Sequence, residues 1–158
     1  MDIQIREAVP GDYQNLCELY LELDNQHRLS HPELFVLPED YTAARAYLLE
    51  SMADSNQALF VVEIASNLVG FAECRMQISS DFPILRKREW VQLEGLAVKP
   101  GYQKHGIGSL LLKKVREWAQ SKKVNRIELK VYTFNSQAET FYLRHGFKEL
   151  SKAMYLNL

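Results

Sequence analysis

The chain has 158 residues, 47% of them hydrophobic, and a formal net charge of −1. That length suits one domain with its own packed core, and that apolar content excludes a disordered chain. The near-zero charge excludes a nucleic-acid binder held by bulk electrostatics, and no apolar run reaches the roughly 18–20 residues that a membrane span requires. The amino-terminal MDIQIREAVPGDY carries no signal-peptide pattern, which predicts a cytoplasmic protein. Cys17 and Cys74 stand apart, form no metal or redox motif, and read as small buried apolar residues.

Ile3 and Ile5 alternate with polar residues and predict a short first strand. Pro10-Gly11-Asp12 marks a turn, with Asp12 as the N-cap of a helix whose apolar stripe is Tyr13, Leu16, Tyr20 and Leu23. Residues 24–38, DNQHRLSHPELFVLP, hold two prolines in mixed polarity and read as a loop or a broken helix. A second helix is expected over 39–52, with Tyr41, Ala44, Leu48 and Met52 in phase. Strands follow over 59–65 and 68–78, joined by a hairpin turn at Ser66-Asn67. A polar loop over 79–88 then leads to a strand over 90–98. Ile107, Leu110, Leu111, Val115, Trp118 and Ala119 recur at helical spacing. Residues 126–132 alternate as a half-buried strand with Ile127, Leu129 and Val131 on one face. Residues 135–145 form a short helix that Gly146 ends, and 147–158 are expected to hold one or two last strands. The strands at 90 and 126 are joined by a helix, which predicts parallel neighbours; short turns make the others antiparallel. The result is a mixed sheet with helices on both faces.

The stretch from Leu96 to Trp118 organises this order. A strand ends, Pro100-Gly101 turns the chain, and QKHGIG (103–108) opens an amphipathic helix. The first amides of a helix lack partners, and the helix dipole adds partial positive charge there. Gly106 and Gly108 keep side chains out of the way, so a pyrophosphate is the natural guest. The Walker loop is excluded because Ile107-Gly108 stand where Lys-Ser/Thr is required, and the dinucleotide fingerprint fails at Leu111.

What remains, Gln103-x-x-Gly106-x-Gly108 after a strand, resembles the acyl-CoA loop of the GNAT superfamily of N-acetyltransferases. Downstream, NSQAETFYLRHGF resembles that family's second motif at Asn135, Ala138, Phe141, Tyr142, Gly146 and Phe147. The resemblance is sharpest over 93–147; before that it rests on element order. It implies the GNAT-type acyl-CoA N-acyltransferase fold over 1–158 as a single domain. That fold is a mixed α+β architecture with a central sheet of six to seven strands, helices on both faces and a splayed parallel pair.

It also implies acetyl-CoA as co-substrate, an amine acceptor, no metal, and a possible homodimer. Acetyl-CoA would lie between the splayed strands. Leu96, Ala97 and Val98 would meet the pantetheine arm as an added strand would. Gln103, Lys104, His105, Gly106, Ile107, Gly108 and Ser109 form the loop whose amides, from Lys104 on, would hold the pyrophosphate. Asn135 would bond the pantetheine arm or shape the cleft, and Ala138 would leave it room. The side chains of Lys104 and His105 either add charge beside the phosphates or are solvated.

An ammonium has no lone pair, and an alkylamine has a pKa of about 10.4, so acyl transfer near neutral pH needs a general base. Glu94, two residues before Leu96 and expected on its face of the strand, is the base in this resemblance, acting through water. Otherwise it pairs with a nearby basic side chain, and Glu73 or bulk water takes its place. The leaving thiolate needs a proton, and Tyr142 is the general acid, its phenol having an ordinary pKa of about 10. A backbone amide at Leu96 would meet the developing oxyanion. A covalent route through Cys17 lacks any activating neighbour in sequence. His27 and His31 lie four apart, but Arg28 replaces the glutamate of a zinc-protease motif, so they read as structural or acceptor-wall residues. Residues 24–38 fall where the family builds its acceptor pocket; Asp24, Glu33, Glu39 and Asp40 either favour a cationic amine or are simply solvated. The acceptor classes left open are an aminoglycoside, a polyamine, an amino acid or a protein amine. Two rival functions share the loop: a non-catalytic acyl-CoA-binding sensor or interaction module of the same fold, and a nucleotide binder.

Overall fold

The structure is a computed structural model that describes residues 2–158. Five strands form one sheet in the order β1-β2-β3-β4-β5: Gln4–Glu7, Gln57–Ile64, Asn67–Ile78, Glu89–Val98 and Ile127–Leu129. The first four are antiparallel neighbours, and β4 and β5 run parallel. The mixed sheet and its parallel pair are as expected, but the count is five strands rather than six to seven. Residues 147–158 form no strand, and β5 is three residues long instead of seven.

Helices cover both faces because β2 and β3 are apolar on both. Phe60, Val62, Val69, Ala72 and Cys74 pack against α4 (Ile107–Ser121) through Ile107, Leu111, Leu112, Val115 and Ala119. Leu59, Val61, Leu68 and Phe71 pack against α1 (Tyr13–Ser30) and Leu48 of α3 (Tyr47–Ala53) on the other face. In α4 the inward stripe follows 107, 111, 115 and 119, so Leu112 is buried while Leu110, expected inward, is exposed.

Other local readings change. The helix expected over 39–52 is broken into α2 (Tyr41–Ala44) and α3, with Arg45 closing the first piece. Helix α1 runs on to Ser30 and carries His27, which extends helix into the expected loop. Asp12 does not cap α1; its carboxylate accepts Arg6 at 2.7 and 3.0 Å and the Val9 amide at 2.9 Å. Arg6 also reaches Glu63 at 2.8 Å, which ties β1, the Pro10–Asp12 turn and β2 together. The hairpin turn falls on Ala65-Ser66, both left-handed, one residue earlier than expected. The last helix, α5 (Ser136–Arg144), ends at Gly146, whose φ of +87° is the left-handed conformation a helix stop favours in glycine.

Candidate active site

The loop after β4 takes the shape its glycines suggest. After β4 the chain makes a tight turn over Pro100–Tyr102, and Gly106, at φ +80°, precedes the first residue of α4. A Cβ at Gly106 would meet nothing within 4 Å, so the requirement there is conformational, not spatial. The reverse holds at Gly108, where a Cβ would stand 3.3 Å from the Phe141 ring. The first bond of α4 runs from the Leu110 amide to the Gly106 carbonyl, which leaves the amides of Ile107, Gly108 and Ser109 bare at the positive end of the helix dipole. Lys104 is left-handed at φ +64°, and it and His105 are exposed beside those amides.

Side chains brace this loop. Gln103 donates from Nε2 to the Val98 carbonyl at 2.9 Å and staples the loop to its strand. Ser109 Oγ lies 2.9 Å from His145 Nε2, while His145 Nδ1 faces the Phe141 carbonyl at 2.8 Å. A carbonyl only accepts, so Nδ1 carries a proton; with the ring neutral, Nε2 accepts from the serine hydroxyl. Asn135 Oδ1 accepts the Ala138 amide at 3.1 Å and caps α5.

The parallel pair opens as expected. Pairing runs from Val91↔Ile127 to Leu93↔Leu129 and stops, while β4 continues to Val98 bonded to β3 alone. Leu96, Ala97 and Val98 therefore flank a gap on the β5 side. Tyr142 of α5 belongs to the same apolar cluster as Leu96, Val98 and Ile107. Its ring packs edge-on against Phe141 and Phe147 at 5.3 and 5.4 Å, and its hydroxyl has no hydrogen-bond partner among the described residues. Burial pushes the phenol up to about 12.

Glu94 departs from its expected position. Glu73 pairs with Gly95 and Cys74 with Leu93, so Glu94 is the extra residue of a β-bulge. The bulge resets the alternation: Leu93 and Leu96 share the α4 face, and Glu94 does not share a face with Leu96. Glu94 and Gly95 instead line a cavity of about 510 Å³ on the α1 side, together with Tyr20, Asp24, His27, Arg45, Glu50, Glu73, Arg75 and Tyr132. Gly95 matters for shape, since a Cβ there would stand 3.2 Å from the Phe71 ring.

The electrostatics of this cavity are uneven. Arg75 pairs with Glu94 at 2.7 Å and Arg45 pairs with Asp24. Tyr41 donates to the same Asp24 at 2.5 Å, and the Arg45 guanidinium lies 4.4 Å from the Tyr20 ring centroid. Glu73 and Glu50 are left without a cationic partner. Glu73 accepts the Tyr20 hydroxyl, and burial raises its proton affinity. His27, Phe35, Tyr132 and Phe134 pack ring to ring at 5.3–6.0 Å at one wall, and His31 joins Tyr132 and Phe134 at 5.7 Å. His27 Nδ1 is bonded to the Leu23 carbonyl, and no group of three metal-binding side chains occurs among the described residues. Glu33 pairs with His31 and Asp40 caps α2; neither these nor Glu39 lines the cavity. Cys17 is buried and its thiol is pushed up by that burial, the opposite of an activated nucleophile.

Sequence reasoning missed Tyr20, Arg45, Glu50, Gly95 and Tyr132 as cavity residues. One signal was present: a glycine inside an apolar strand marks a bulge or a close approach.

Bare helix amides suit a diphosphate, an unpaired strand edge suits an amide-rich arm, and a carboxylate-lined cavity begins at Glu94 and Gly95; together they fit an acyl-CoA-dependent transferase. The chain belongs to the Acetyltransferase (GNAT) family, whose model matches residues 16–147. It is therefore an N-acetyltransferase, with acetyl-CoA as its co-substrate. The chain is 38% identical over 157 residues to the thialysine N-epsilon-acetyltransferase of Sus scrofa, covering 96% of this chain and 87% of that protein. It is 33% identical over 106 residues to an uncharacterized N-acetyltransferase of Methanocaldococcus jannaschii, covering 67% of this chain. It spans about half, 46%, of that archaeal protein's length. Among solved structures, a protein of Bacillus halodurans superposes with a TM-score of 0.91 over 98% of this chain and 99% of its own at 22% identity, a likeness of fold.

Proposed function

We propose that this chain, a single domain over 1–158, acetylates the primary amine of a cationic acceptor by direct transfer from acetyl-CoA. The observation that carries the acceptor class is the charge inventory of the cavity. Each of its two guanidiniums is already paired with a carboxylate, and Glu73 and Glu50 remain for the substrate. A relative that acetylates the side-chain amine of thialysine supports the same class.

In this reading the diphosphate sits on the amides of Lys104 to Ser109, and the pantetheine arm pairs with the main chain of Leu96 to Val98. Gln103, Asn135 and Ala138 act by shaping the loop and the cleft. The thioester passes through the gap between β4 and β5, which joins the Tyr142 side of the sheet to the Glu94 side. Glu73, half-buried, holds the incoming ammonium. Glu94, at the exposed edge of the bulge, takes its proton through water and hands it to solvent. The amine attacks the thioester carbon, an amide of β4 meets the oxyanion, and Tyr142 protonates the departing thiolate. The reading includes a cytoplasmic homodimer; no helix among the described residues is long and apolar enough to cross a membrane.

The test is free-thiol release from acetyl-CoA against a panel of mono- and polycationic amines, with matching alcohols as controls. Amine-dependent release, absent with the alcohols, is expected. Tight acetyl-CoA binding with no turnover on any amine would favour an acyl-CoA-binding module instead.

A further inference from the structure

We propose that His145 is a proton-linked positioning residue for the coenzyme: binding of the diphosphate draws a proton onto its ring, and the Ser109 hydroxyl carries that charge to the phosphate. The proposal rests on the reading that the diphosphate sits on the amides of Lys104 to Ser109, and it concerns two side chains to which that reading gives no task. They stand 36 residues apart in the chain and meet where the end of α5 lies against the start of α4.

Both ring nitrogens are committed. Nδ1 faces the Phe141 carbonyl at 2.8 Å and carries a proton, so in the neutral ring Nε2 accepts the Ser109 hydroxyl at 2.9 Å. The other tautomer would set the Nδ1 lone pair against a carbonyl oxygen. The Phe141 ring, 4.3 Å away between centroids, holds the imidazole in this pose, and Arg116 donates to the His145 carbonyl at 2.6 Å. One position is left to titrate, Nε2.

The neutral pair suits an anion poorly. The serine hydroxyl gives its one hydrogen to Nε2 and turns only lone pairs outward, although the Ser109 amide is one of those left bare at the start of α4. Protonation reverses the serine. A proton from solvent on Nε2 makes that nitrogen the donor to Oγ, and the hydroxyl hydrogen is freed to donate to a phosphate oxygen. The chain then runs from the Phe141 carbonyl through Nδ1–H, Nε2–H and Oγ–H to the phosphate, with a donor facing an acceptor at each link and a charge at its centre. One proton is taken up for each neutral ring, and no covalent bond of the chain breaks.

The surroundings offer that charge no other partner. No ion pair involves His145 among the described residues. The charged residues that follow Ser109 on its face of α4 are Lys113 and Arg116, and Arg144 and Lys148 flank the ring in its own segment. All four are basic, and side chains of these types keep their charge between pH 6 and pH 8. His105, exposed beside the bare amides with Lys104, is the second imidazole near the anion and the natural control.

The experiment measures binding of 3′-dephospho-CoA to the full chain by calorimetry at pH 6 and pH 8, each in two buffers of different ionisation heat. This probe keeps the diphosphate and lacks the monoester phosphate, a group that titrates near pH 6. Binding should be about fivefold to tenfold tighter at pH 6, the gap between a neutral and a charge-assisted hydrogen bond. Proton uptake should peak at about half a proton per ligand. His145→Gln and Ser109→Ala should lose both the slope and the uptake, and His105→Gln should keep them. Nitrogen-detected titration of the wild-type ring needs no variant: the pH at which Nε2 gains its proton should rise by about one unit when the probe binds. A ring titration that the probe leaves unmoved, a slope that survives in His145→Gln or Ser109→Ala, or one that vanishes in His105→Gln would each overturn the proposal. Binding without proton uptake overturns this proposal alone; no binding at either pH overturns the coenzyme reading with it.

Discussion

Replacing Tyr142 by Phe separates chemistry from stability at the residue assigned to the leaving group. The hydroxyl bonds to no described residue, so its removal orphans no partner, and the ring keeps its edge contacts with Phe141 and Phe147. The change in folding stability should stay within about 0.5 kcal/mol, which is about 1–2 °C in Tm for a chain of this size. The rate should fall by about 10²–10⁴, the usual value of a lost proton donor, equivalent to about 2.7–5.4 kcal/mol of barrier. Burial pushes the phenol up to about 12, so at pH 8 about one molecule in ten thousand has lost the proton it must give. No basic limb in kcat below about pH 11 should therefore come from Tyr142. Steady-state thiol release, with acetyl-CoA affinity measured in parallel, reads all of this. A kcat within threefold of wild type at unchanged affinity would remove Tyr142 from the acid role, and a fall in affinity alone would make it a binding residue.

Gly106→Val forces a branched side chain into a left-handed backbone at φ +80°. It should cost at least about 1–2 kcal/mol, about 2–8 °C in Tm, and abolish CoA binding by calorimetry; undiminished affinity would reject the amide cradle. Glu73→Gln keeps an acceptor for Tyr20 but removes a carboxylate whose pKa burial raises. A raised carboxylate stabilises the fold at low pH and loses that contribution as pH rises through its folded value. The variant should therefore melt above wild type at pH 8, converge with it near pH 4, and show a raised KM for the amine. Glu94→Gln should instead erase the acidic limb of kcat/KM with little change in amine KM; an unshifted limb would move the base elsewhere. Asp12→Ala strips Arg6 of one partner and the Val9 amide of its acceptor. With Arg6 a third exposed, the loss should be about 1–3 kcal/mol at neutral pH. Arg6 holds Asp12 below the usual carboxylate range, so that contribution is present above the range and fades as pH falls through the folded value; urea melts at pH 7 and pH 3 should show the gap between variant and wild type closing.

The parts legible in the sequence are those set by neighbours along the chain. Gly106 and Gly108 before an amphipathic run announced the amide cradle, and Asn135 with Gly146 bracketed α5, because caps and turns are local chemistry. The strand-helix-strand order around α4 made the parallel pair legible for the same reason. Less legible was whatever depends on a partner strand. Alternation put Glu94 on the face of Leu96, but the bulge opposite Glu73 and Cys74 adds one residue and turns Glu94 toward the α1 side. Asp12 looked like a cap, yet Arg6 and the Val9 amide claim its carboxylate. The tail reads as strand by its pattern and finds no strand beside it within one chain.

The amino-acid order by itself determined the glycine turn that bares the first amides of α4, the two apolar faces of the central strands and the elements that flank them, since these follow from backbone preference and side-chain period. The fold in three dimensions decided how charge is distributed around the cavity. The bulge, the depth of Glu73 and the pairing of Arg45 and Arg75 are contacts between segments far apart in the chain, and their energies depend on burial that no local window contains.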